Sequence, residues 1–225
     1  MGLSQQPATS ARKIGVFGGA FDPPHNAHVA LAKTAIQTLD LDELHVIPTG
    51  QAWHKPRGLS APEHRLAMTQ LAFAGVPRAV VDSRELDRVG PSFTIQTLRD
   101  LQSENPAGQL YLIMGADQFK AFTQWREWQA IVSLAIICIA DRGRFDWSEG
   151  QFDAYKEQKS RFVSLPMPAM PVSATQIRQL LACRSNEIAD EAGHAVSHSA
   201  DLVGGMVAEA VARYISLYRL YRTPV

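Results

Sequence analysis

The sequence predicts an α/β protein with a mainly parallel sheet covered by helices on both faces. Two patterns predict it. Short apolar runs rich in β-branched residues alternate with stretches of helical spacing along the chain. The runs are also apolar on consecutive positions rather than every second one, as in "HVIP" and "LAIICIA". Strands buried on both faces read that way. With 225 residues, 46% of them hydrophobic, the chain can bury a sizeable core.

The strands are expected at Lys13–Phe17, Glu43–Pro48, Ala79–Asp82, Leu110–Met114, Leu134–Ala140 and Arg161–Leu165. Helices are expected at Ala27–Leu39, Pro62–Ala74, Ser92–Ser103 and Asp117–Val132. "GPS" before "FTIQTL" reads as a cap and helix start. The polar stretch from Asp141 to Lys159 is expected as a peripheral loop with a short helix. After Pro166, Pro168 and Pro171 comes "VSATQIRQLLA", a helix start capped by Ser173 or Thr175. A terminal helix is expected from about Leu202 to Leu217. Residues 1–12 read as a disordered lead-in without the apolar core of a secretory signal. The rest, 13–225, reads as one domain with 172–225 as its helical C-terminal part.

Composition excludes some functions. Lys plus Arg number 22 and so do Asp plus Glu, so no global field draws the chain to nucleic acid or an anionic membrane. No apolar run approaches bilayer length, and a cytoplasmic protein is expected. Cys138 and Cys183 form no C-x-x-C and match no zinc spacing. Cys138 lies in an apolar run and reads as a core thiol.

Sheets of this class bind ligands outside the carboxyl ends of their strands. There the first strand ends in "GVFGGAFDPPHNAH". Gly18 and Gly19 remove side chains, which allows close approach of a ligand or a positive φ. His25 and His28 stand three apart where a helix starts, and a helix N-terminus is an anion site. Two imidazoles there can bind and neutralise a polyphosphate. The alternative is a plain turn in which the histidines cap the helix. The segment is neither G-x-x-x-x-G-K-[ST] nor G-x-G-x-x-G.

These residues carry a resemblance. "GGAFDPPHNAH" resembles the G-G-x-F-D-P-x-H-x-G-H signature of the nucleotidylyltransferase superfamily. Further blocks resemble its bacterial nicotinate mononucleotide adenylyltransferase branch, in order: "WHKPR", "RVGPSFTIQTL", "LIMGADQFKAFTQWREW", "VSATQIRQLL" and "VARYISLYRLYR". The resemblance implies a Rossmann-like fold and adenylyl transfer from ATP, with Mg²⁺, to nicotinate mononucleotide. It implies ATP contacts from Gly18, Gly19, Phe21, His25, His28, Ser173, Thr175 and Arg178, and catalytic roles for His25, His28, Lys55 and Arg178. It implies that Thr94, Asp117 and Trp125 hold the mononucleotide, with Trp125 stacked on the pyridine ring. No nucleic-acid or membrane partner and no protein-bound metal is implied.

Structural alternatives stand beside these roles. Ser173, with Gln176 three residues on, fits a capping box, and Asp117 and Ser92 fit helix caps. Trp128 is assigned to packing, and His54 and Arg57 could be an exposed basic loop. Ala27 stands where the family has Gly, and Phe93 where it has Tyr. Rival functions are transfer to phosphopantetheine or nicotinamide mononucleotide, a silent nucleotide sensor, and a tRNA ligase. "PSFT" with Trp125 argues against phosphopantetheine, and retention of His25, His28, Lys55 and Arg178 against the sensor. The chain length and the lack of a K-M-S-K-S-like loop argue against the ligase.

Overall fold

Six runs pair into one sheet. The computed structural model describes residues 11–50, 58–141, 158–183 and 202–222. The strands are β1 (Lys13–Gly19), β2 (Glu43–Pro48), β3 (Ala79–Val81), β4 (Gln109–Gly115), β5 (Ala135–Asp141) and β6 (Phe162–Pro166). Their order is β3-β2-β1-β4-β5-β6, and every pairing is parallel. The chain works outward from β1 to β3, crosses back to β4, and works outward to β6. The direction reverses between β1 and β4, the place where such sheets open a crevice.

Helices cover both faces: α1 (Asn26–Leu39), α2 (Pro62–Phe73), α3 (Thr94–Glu104), α4 (Ala116–Lys120), α5 (Trp128–Leu134), α6 (Ala174–Cys183) and α7 (Glu209–Leu217). Successive strand side chains point to opposite faces, so consecutive apolar residues feed two cores. Phe17, Ile113, Cys138 and Leu165 join Leu31, Ala35, Met68, Ile177, Val211 and Ile215 on the α1–α2–α6–α7 side. Val16, Leu112 and Ile137 join Ile95, Leu98, Leu101, Phe122 and Ile131 on the α3–α4–α5 side. Each such large side chain, fully buried, contributes roughly 1.5–3 kcal/mol. Cys138 is the core thiol expected of it, pushed up to about 12 by burial.

Two helices differ from the sequence pattern. The stretch expected as one helix over Asp117–Val132 is α4, a 3₁₀ turn at Phe122–Gln124, an extended Trp125 and then α5. Glu127 sits at φ 54 as the α5 N-cap, which breaks the helix. Apolar periodicity runs through the break because Phe119, Phe122 and Ile131 all reach the same core. The terminal helix begins at Glu209 rather than near Leu202, after a turn with Gly205 at φ 75. At the other end, the Arg12 carbonyl already accepts the Gln109 N–H at 2.8 Å. Residues 1–10, most of the expected 141–159 loop, and 184–201 lie outside the described residues.

Candidate active site

The ends of β1 and β4 open into a cleft with two lobes. One lobe, about 360 Å³, is lined by Thr94, Asp117, Trp125 and Arg126 among mostly apolar neighbours. The other, about 940 Å³, is lined by Phe21, Asp22, His25, His28, Thr175 and Arg178. Gly18, Gly19, Ala20, Asp117 and Gln118 line both, so the strand-end glycines form the floor between them.

Neither Gly18 nor Gly19 takes a positive φ; in this turn that conformation falls on Phe21, at 46°. The two glycines serve proximity instead. A Cβ on Gly19 would lie 2.9 Å from the Phe21 ring, whereas a Cβ on Gly18 would meet nothing within 4 Å. Nothing among the described residues forbids a side chain at Gly18. The glycine there keeps space open at the junction of the lobes.

Phe21 is buried and packs edge-on against Phe17, Phe73 and His28, which fixes the turn. The turn delivers His25 as the N-cap of α1, and His28 is its third residue. Their rings stack, with centroids 3.6 Å apart and planes 17° apart. His28 Nδ1 accepts the His25 backbone N–H at 3.1 Å. In the neutral ring the proton therefore sits on Nε2, which gives the lobe a defined donor. Burial lowers the His25 pKa to about 4, and its Nδ1 is buried without a partner among the described residues. His25 is thus neutral at pH 7 before a ligand binds. Desolvation outweighs a backbone hydrogen bond that would raise the pKa, and the positive end of the helix works in the same direction as desolvation, so near neutral pH protonation needs an arriving anion.

Arg178 reaches this lobe from α6. Its Nη1 donates to the Asp22 carbonyl at 2.7 Å and its Nη2 to Thr175 Oγ1 at 3.1 Å. Ser173 takes its structural alternative: Ser173 Oγ accepts the Gln176 N–H at 3.2 Å, capping α6, and the residue lines neither lobe. Ala27, in the first turn of α1, also lines the larger lobe.

In the smaller lobe, α3 starts at Thr94, two residues later than expected, with Phe93 as N-cap and no side-chain cap. Ser92 is not the cap; its hydroxyl donates to the Glu85 carbonyl at 3.1 Å. The α3 N-terminus is left to the lobe. Asp117 stands in the first turn of α4. The helix break places Trp125 in the lining, its ring edge-on to Phe122 at 5.5 Å. Trp128 packs on the core as expected. Lys55, with His54 and Arg57, lies outside the described residues.

Three further residues of the cleft had no role assigned from sequence. Arg126 lines the smaller lobe with its guanidinium 4.7 Å from the Phe93 ring centroid. It is the only Lys or Arg among the described lining residues there. Glu85 is a buried carboxylate that accepts the Thr97 hydroxyl at 2.8 Å, its pKa raised by burial. Lys120 lines the larger lobe. Their spacing matches no motif, and only the fold brings them to the cleft.

Known proteins are similar to this chain over nearly its whole length. Residues 16–180 match the Cytidylyltransferase-like family. A protein of Albidiferax ferrireducens named "Probable nicotinate-nucleotide adenylyltransferase" is 50% identical, with 94% of this chain and 99% of that one covered. A protein of the same name from Methylibium petroleiphilum is 41% identical, with 96% of each covered. The fold matches that of Plasmodium falciparum nicotinic acid mononucleotide adenylyltransferase, solved with APC and with NaAD. In the first of these structures the TM-score is 0.70 at 19% identity, over 93% of this chain and 97% of the other. The chain therefore belongs to the cytidylyltransferase-like nucleotidyltransferases and, within them, to the nicotinate-nucleotide adenylyltransferase family.

Proposed function

We propose that the chain transfers the adenylyl group of ATP to the 5′-phosphate of nicotinate mononucleotide, giving nicotinate adenine dinucleotide and pyrophosphate for NAD synthesis. The observation that carries this is the two-lobed cleft over Gly18 and Gly19, one lobe cationic and imidazole-lined, the other aromatic. ATP takes the larger lobe, against Gly18, Gly19 and Phe21, with Arg178 and Thr175 on its phosphates. The pyridine ring takes the smaller lobe against Trp125, its carboxylate toward Thr94 and the open α3 N-terminus. Arg126 adds a cation there, and Asp117 accepts ribose hydroxyl hydrogen bonds.

The attacking group is already an anionic phosphate, so no general base is needed. Catalysis reduces to alignment and stabilisation of charge on the transferring phosphoryl group. His28 donates from Nε2, and His25 gains a proton as phosphate approaches. Lys55 and Arg178 hold the leaving pyrophosphate. A Mg²⁺ ion accompanying ATP would need few protein ligands and would offset charge on the triphosphate. The donor set suits this. Both Asp22 carboxylate oxygens accept protein hydrogen bonds, which among the described residues leaves Asp117 as the carboxylate open to the larger lobe. No helix among the described residues is long and apolar enough to cross a membrane. We place the enzyme in the cytoplasm, as one nucleotidyltransferase domain over 13–225 with 172–225 as its helical part. Incubation with ATP, Mg²⁺ and nicotinate mononucleotide should yield dinucleotide and pyrophosphate in equal amounts. Absence of both from folded protein would overturn the proposal.

A further inference from the structure

The C-terminal segment, residues 202–222, contributes nothing to the lining of either lobe, yet it grips the turn that does. Tyr221 Oη donates to Asp22 Oδ1 at 2.6 Å. Asp22 is 1% exposed, and its Oδ2 accepts the Ser60 N–H at 3.2 Å. Its backbone carbonyl is the acceptor that holds Arg178. Four residues on, the Asn26 N–H donates to the Met206 carbonyl and Asn26 Nδ2 to the Gly205 carbonyl, both at 2.8 Å. So two separate points of the C-terminal segment bracket Asp22–Asn26, the turn that presents His25.

Beneath the same turn lies Arg65, 2% exposed and close enough to Asp22 to feel its charge. It donates from Nε to the Ser60 carbonyl at 3.0 Å, and from Nη1 to the carbonyls of Ala20 at 3.2 Å and Thr49 at 2.6 Å. These carbonyls belong to the segments after β1, after β2 and before α2. The described residues thus join three loops and the end of the chain through one buried carboxylate and one buried guanidinium. Burial and the neighbouring Asp22 raise the Tyr221 pKa, which keeps the phenol a donor at any working pH.

We propose that Tyr221 is a positioning residue for the larger lobe: through Asp22 it fixes the His25 turn and the Arg178 side chain in the geometry that receives the triphosphate. The inference rests on the adenylyl-transfer function proposed above. Tyr221 touches no substrate; its hydroxyl sets where Asp22 stands, and Asp22 sets where Arg178 stands. An interaction of this kind, a hydrogen bond to a buried charged group, is among the stronger ones in a protein.

The test is Tyr221→Phe, which removes one oxygen and keeps the ring, with ATP and nicotinate mononucleotide varied independently well below the melting temperature. Asn26→Ala, which removes the side-chain half of the second anchor outside the lining and keeps its backbone half, is the companion variant. For Tyr221→Phe, kcat/KM for ATP should fall about tenfold, the scale of one charge-assisted hydrogen bond, while KM for the mononucleotide stays within about twofold. Asn26→Ala should show the same bias toward ATP. In a double-mutant cycle Tyr221→Phe and Arg178→Lys should be less than additive, because one acts through the other. Unchanged kcat/KM for ATP in both variants, equal losses for both substrates, or strict additivity would overturn the inference. Absence of turnover in the wild-type protein would instead overturn the function on which it rests.

Discussion

Protonation of His25 should be felt as a loss of stability in mild acid. Its folded pKa is lowered from 6.5 to about 4 by burial. Above pH 6.5 the ring is neutral in both states and costs nothing. As pH falls below 6.5 the unfolded chain takes up a proton that the folded site refuses, so stability declines. At 1.36 kcal/mol per pKa unit, the full loss by pH 4 is roughly 3 kcal/mol, and about 2 kcal/mol is gone by pH 5. Asp82 does not blur this window. Burial would raise its pKa, but hydrogen bonds from His45 and Arg84 hold it well below the usual carboxylate range, so its contribution is lost below 3.8. The assay is urea unfolding of the wild type and His25→Gln at pH 7.5, 6 and 5. The wild type should lose about 2 kcal/mol more than the variant between pH 7.5 and 5. Equal losses would show that His25 is not held neutral and would remove the basis for proton uptake on phosphate binding.

His28→Ala should keep the fold and lose about 10²–10³ in turnover, the usual cost of one preformed transition-state donor. Normal kcat in a folded variant would contradict its role. Gly18→Ala should leave the melting temperature nearly unchanged, since a Cβ there meets nothing within 4 Å. It should raise KM for at least one substrate, because that Cβ stands at the junction of the lobes. A melting loss with unaltered KM would reverse this account of the glycine.

Where the sequence was legible, the reason was burial. Strands apolar on consecutive positions announced a sheet covered on both faces, and β2 begins and ends where expected, at Glu43 and Pro48. Local geometry was legible where residues act near each other in sequence, as His25 with His28 does in the cleft and Ser173 with Gln176 does at a helix cap. It was illegible where tertiary geometry overrides periodicity. Trp125 sits in a helical pattern, yet the helix breaks beside it, at Glu127, so that Trp125 lines the cleft while still packing against the core. Departures from local rules gather at functional sites. Arg65 lies in α2 and matches no motif. Only the fold shows it joining Ala20, Thr49 and Ser60. Tyr221 belonged to a recognisable C-terminal block with no assigned task until its distance to Asp22 supplied one.

The central claim is adenylyl transfer to a pyridine mononucleotide bearing a carboxylate. The measurement that tests it most directly is kcat/KM for nicotinate and nicotinamide mononucleotides at one fixed concentration of ATP and Mg²⁺. Arg126 and the uncapped α3 N-terminus at Thr94 favour an anion in the smaller lobe. A neutral amide would turn its own donors toward them, at roughly 1–3 kcal/mol for each group left unsatisfied. Nicotinate mononucleotide should therefore be preferred about tenfold to hundredfold. Equal values, or a preference for nicotinamide mononucleotide, would contradict the account.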